Sequence, residues 1–221
     1  MRALLAVLWK DLLTEWRSRE RLSAMGVFAL VVVVILYLAA PPPPGAETPQ
    51  AQAGLLWIAY AFAAVLGLNR TFALELENQA ISGLALASVE RGLLFLGKAL
   101  ACFPPLALVW AGAALAFGLA FGVDFRPVLG GFALVAGLGA LGVCGIGTLF
   151  AAMAVRSSHR EILLPLLLLP LLAPLLLGCA RATDALLESG ALPWPELQLL
   201  LVTDGVFWIV SYLGFGAVLD E

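Results

Sequence analysis

Charge is what this chain has least of. Aspartate, glutamate, lysine and arginine together make up 12% of its 221 residues, against about a quarter in soluble domains. Apolar side chains reach 62% and the mean hydropathy is +1.03. A soluble fold of this composition would expose apolar surface it had no polar groups to cover, so the chain is an integral membrane protein. Histidine is nearly missing: His159 is the only one, and a lone histidine builds no structural metal site. Cys102, Cys144 and Cys179 lie in or beside apolar runs without zinc, redox or haem-attachment spacing, and read as small packing residues. No GxxxxGK[ST] phosphate loop occurs, so ATP is not held here by the usual cradle. Carboxylates are nearly absent from the apolar runs, with Asp204, near the outer end of the last, as the exception. That argues against a proton-driven transporter with buried relays. With no catalytic constellation present, the chain reads as a non-enzyme.

What is there is a series of apolar runs. About 20 such residues span the hydrocarbon as a helix, and six stretches meet or approach that length: 22–40, 53–68, 99–121, 128–155, 162–180 and 199–219. The second is short and the fourth long, which predicts tilt or a turn outside the membrane. Continuous runs rather than alternating strands exclude an outer-membrane barrel. The first run is not a cleavable signal peptide: an amphipathic stretch precedes it and four prolines, 41–44, follow it. The expected fold is therefore all-α and polytopic, with six transmembrane helices in one domain (22–219) after an interfacial amphipathic helix (1–21). In that first helix Leu5, Leu8, Trp9, Leu12, Leu13 and Trp16 recur at helical spacing, opposite Lys10, Asp11, Arg17 and Arg21.

The cations sort by side. Ten of the 12 lysines and arginines fall before the first run or in the second-to-third and fourth-to-fifth connections, while only Arg126 and Arg181 fall in the alternate connections. The positive-inside rule predicts both termini in the cytoplasm, and an even number of spans agrees. Proline recurs within the third run (Pro104, Pro105) and the fifth (Pro165, Pro170, Pro174); such kinks suit either a moving path or irregular packing. The fourth run is rich in glycine, which lets helices approach closely in lipid. The stretch 181–196 reads as either a short capping helix or a polar loop.

The most informative segment is 69–91, where five charges (Arg70, Glu75, Glu77, Glu90 and Arg91) fall within 23 positions. Phe72, Leu76 and Gln79-Ala80 share a helical side while Glu75 and Glu77 project differently. This pattern fits a short amphipathic helix parallel to the membrane, either a plain interfacial element or a coupling segment that meets an ATPase subunit. Arg70, Glu75, Glu77 and Arg91 are the candidate coupling residues.

The order of residues is also informative. Lys10-Asp11-Leu12, Glu15-Trp16-Arg17-Ser18-Arg19-Glu20, Leu68-Asn69-Arg70-Thr71-Phe72-Ala73 with Glu75 and Glu77, Gly83-Leu84, Glu90-Arg91-Gly92 and Gly97-Lys98 resemble the CcmB family. CcmB is the haem exporter B, or permease, subunit of cytochrome c maturation. Gln79 and Ser88 stand where the family often has glycine and proline. The resemblance implies an ABC-2-like permease in the bacterial inner membrane. Its implied partners are a CcmA-like ATPase, CcmC-like and CcmD-like membrane proteins and, through the complex, a CcmE-like haem chaperone. ATP and haem would then sit on partner subunits, with no cofactor on this chain; membrane lipid is a further partner, and no nucleic acid is expected. Alternatives left open are an exporter of lipid, polysaccharide or drug, and a scaffold that translocates nothing.

Overall fold

Apolar runs with no water to satisfy their backbone must close their hydrogen bonds internally, which in single segments means helix. The computed structural model describes residues 8–10, 12–13, 20–39, 49–77, 91–155 and 160–220, and among them no strand occurs. Residues 8–10 and 12–13 are helical, with Trp9 exposed; the rest of the expected interfacial helix up to residue 19 lies outside the described residues. The main elements are α1 (Glu20–Ala39), α2 (Pro49–Glu77), α3 (Arg91–Phe121), a 3-10 turn (Arg126–Val128), α4 (Leu129–Val155), α5 (Arg160–Ser189) and α6 (Trp194–Asp220). Five helices are long and apolar enough to cross a membrane, and α2 supplies the shorter apolar stretch Ala53–Asn69. This is a polytopic helical membrane protein, as the sequence predicts.

The helices are longer than the apolar runs. α2 has 29 residues where the run 53–68 suggests a short span. It opens on Pro49, whose missing N–H costs nothing in a first turn. α3 and α5, with 31 and 30 residues, extend about 45 Å at the α-helical rise, past the roughly 30 Å of hydrocarbon. Both carry their prolines inside continuous helix. The stretch expected as a cap or a loop at 181–196 is instead the last two turns of α5, a tight corner, and the start of α6. Gly190, at φ +68°, ends α5 by donating its N–H to Leu186 O at 2.9 Å, the left-handed closure that glycine adopts without strain.

α4 is the hub. It packs against α2, α3, α5 and α6, while α1 lies to one side on α2 and α3. Its glycines make that possible. A Cβ at Gly139 would stand 2.8 Å from the Trp57 ring on α2 and 2.9 Å from Cys179 Sγ on α5; one at Gly142 would overlap Asp204 on α6. Without a hydrophobic force between helices in lipid, close packing of this kind drives association.

Candidate functional site

Of the four candidate coupling residues, three sit on one element. Arg70, Glu75 and Glu77 fall on the final turns of α2, whose backbone stays helical through Glu77. From Asn69 to Glu77 that helix advances about 12 Å beyond the apolar stretch. The expectation of a separate helix parallel to the membrane is corrected here: residues 69–77 prolong the span itself. The physical reason is composition, since Thr71-Phe72-Ala73-Leu74-Glu75-Leu76-Glu77 contains neither glycine nor proline to stop a helix. Residues 78–90, with Gly83-Leu84 and Glu90, lie outside the described residues.

Arg91 is the first residue of α3 and is exposed. Its Nη1 donates to Gly216 O near the end of α6 at 3.2 Å, a cation at the negative end of the helix dipole. Beside it, Gly92 lies against the Tyr212 ring so closely that a Cβ would overlap it. Phe95 continues the contact, with ring centroids 5.7 Å from Trp208 and 5.5 Å from Phe215. The start of α3 is thus fastened to the last turns of α6, which the sequence separation of 125 residues conceals.

The interior holds polar groups that sequence reading passes over. Trp57 Nε1 donates to Thr183 Oγ1 at 3.0 Å, and Thr183 Oγ1 in turn donates to Cys179 O at 2.8 Å. Trp208 Nε1 donates to Leu141 O at 3.0 Å. The tryptophans are scattered along the chain, but Trp57 and Trp110 meet with centroids 6.1 Å apart, and Trp110 lies 4.5 Å from Phe132. Asp204 is not near the outer end of its span. α6 begins at Trp194, about 15 Å away at the helical rise, and Asp204 is buried, 7% exposed as a residue. Neither of its oxygens has a hydrogen-bond partner among the described residues. Its only sequence signal is a single carboxylate in an apolar run.

None of this makes a metal centre: among the described residues, no group of three or more His, Cys, Asp or Glu could hold an ion, and His159 lies outside them. Cys102, Cys144 and Cys179 are buried and none is in a disulfide, which suits small packing residues. Six helices packed around a glycine-rich α4, five of them long and apolar enough to cross a membrane, define a polytopic membrane protein. Comparison with known proteins narrows that class. The family profile described as "CcmB protein" matches residues 2–219, and this chain belongs to the CcmB family. It is similar to the heme exporter protein B of Rhodobacter capsulatus, with 30% identity over 167 residues, covering 75% of this chain and 76% of that one. It is likewise similar to the heme exporter protein B of Pseudomonas aeruginosa, with 33% identity over 167 residues, covering 72% and 74%.

Proposed function

We propose that this chain is the membrane permease subunit of a haem exporter acting in cytochrome c biogenesis. It lies in the bacterial inner membrane with both termini in the cytoplasm, the orientation supported by ten of its 12 cations. A separate CcmA-like ATPase hydrolyses ATP, and this subunit couples that step to haem delivery or to release of the loaded CcmE-like chaperone. CcmC-like and CcmD-like proteins complete the assembly, and the CcmC-like protein carries the haem contacts. The observation that carries the reading is the family match across residues 2–219.

In this reading Arg70, Glu75, Glu77 and Arg91 serve as the coupling residues. A helix that continues from inside the membrane through Glu77 transmits displacement as a rod, without a hinge at the membrane surface. The test is charge reversal, Glu75→Lys with Glu77→Lys. Recovery of the ATPase with the tagged permease should fall roughly tenfold, the scale of like charges placed across an interface. Unchanged recovery and unchanged hydrolysis would remove the coupling role from these residues.

A second reading has a specific observation behind it. α4 is closed against Trp57, Leu68, Leu175 and Trp208 through its glycines, so a macrocycle crossing the middle of this one bundle would have to part those contacts. A subunit that moves its partners without itself conducting substrate fits such packing. Locking α4 to α6 by a cysteine pair would separate the two: conduction through the bundle stops, whereas partner rearrangement persists.

A further inference from the structure

At the end of the bundle where α3 turns into α4, the surface is concave. A groove of about 610 Å³ runs between the last turns of α3 and the start of α4. Its wall is aromatic: Phe125 stacks on Phe132 at 4.1 Å and 6°, and Trp110 lies against Phe132. Its rims are Leu115, Leu119 and Leu129, all lining the groove and all well exposed, Leu119 at 80%. Such rims face hydrocarbon in a membrane protein, so an acyl chain is the matter in contact with them.

The mouth differs from the rest. Asp124 and Arg126 stand there, Arg126 Nε 4.0 Å from Asp124 Oδ1, with both side chains largely exposed. The turn places both residues and anchors the Asp124 carboxylate. Gly122 at φ +74° takes the chain out of α3, and Arg126 N donates to Asp124 Oδ1 at 3.0 Å. Val128 N then closes the 3-10 turn on Phe125 O at 3.2 Å. One anion anchored by the turn and one exposed cation beside it therefore sit at the polar end of an apolar groove.

We propose that this groove binds a phospholipid with a zwitterionic headgroup bearing a primary amine, its acyl chain along the aromatic wall. The guanidinium of Arg126 takes the phosphate as a charge-assisted donor, and the ammonium donates to the Asp124 oxygen that the turn leaves open. A choline headgroup cannot donate, because its nitrogen carries no N–H. An anionic glycerol headgroup supplies no cation for Asp124. The chemistry therefore selects ethanolamine over both. Haem fits less well: the groove's described lining contains no histidine, methionine, cysteine or tyrosine to reach an iron.

The test is native mass spectrometry of the full-length protein in detergent, titrated with phosphatidylethanolamine, phosphatidylcholine and phosphatidylglycerol of matched chains. The native protein should retain the ethanolamine lipid about tenfold better than the other two, the ratio one charge-assisted bond supplies. Asp124→Asn with Arg126→Gln should erase that preference while leaving weak retention of all three. Ala111→Trp, at an exposed position lining the groove, should reduce retention of every lipid by filling it. Equal retention of the three classes by the native protein, or a preference for the anionic lipid, would overturn the proposal. So would a preference that survives the Asp124/Arg126 variant, which alters only exposed side chains.

Discussion

Asp204 and Gly142 meet where α6 crosses α4, and each constrains the other. The carboxyl occupies the space a side chain at position 142 would need, and it is buried without a hydrogen bond among the described residues. Ionisable groups inside a membrane bundle are costly and tend to mark function. The packing half of this pair is directly testable. Gly142→Ala should destabilise the protein by about 1–3 kcal/mol, the usual penalty for overpacking a tight contact. In an Asp204→Ala background the same change should cost less than half as much, because the overlapping group is gone. Thermal unfolding in detergent across the four proteins gives the coupling. Purely additive effects would mean that Leu175, which also crowds the site, and not Asp204, sets the constraint.

At the scale of the element, the ends of helices matter more than their middles. The apolar runs made the existence of all six helices legible, because apolar segments in lipid satisfy their backbone only as helix, even across the prolines of the third and fifth runs. Their limits were not legible. α2 continues through Glu77 and α5 through Ser189 because those polar stretches hold good helix formers such as Ala, Leu and Glu; the stop at the second is Gly190. Hydropathy marks where lipid ends and says nothing of where helix ends. Arg91 shows what such an end does. Its bond to Gly216 O ties α3 to α6 at the end that carries the candidate coupling residues. Arg91→Ala should raise amide exchange over the last two turns of α6 about 2–5-fold, as expected for losing an exposed charged contact of roughly 0.5–1 kcal/mol. Exchange unchanged there would show that the Phe95, Trp208 and Phe215 rings hold the joint alone.

For the whole molecule, sequence order and spatial order diverge most in the interior. Nothing in local periodicity places Trp57 beside Thr183, 126 residues away, or gathers Trp57, Trp110 and Phe132 into one cluster. Those contacts arise only when the α4 glycines draw α2, α5 and α6 inward. The candidate site was legible in part. Charge density picked out Arg70, Glu75, Glu77 and Arg91, but not that three of them prolong a span while the fourth clasps another helix.

In the proposed function, this permease works with a separate ATPase in a haem-handling assembly. The measurement that reaches it most directly is a detergent pull-down of the tagged protein expressed with its native neighbours, scored for ATP hydrolysis and bound haem together. An ATPase and haem-containing membrane partners should come down in one complex. Recovery of an ATPase without haem would contradict the assigned cargo, and recovery of no ATPase would contradict the coupling role of the α2 extension.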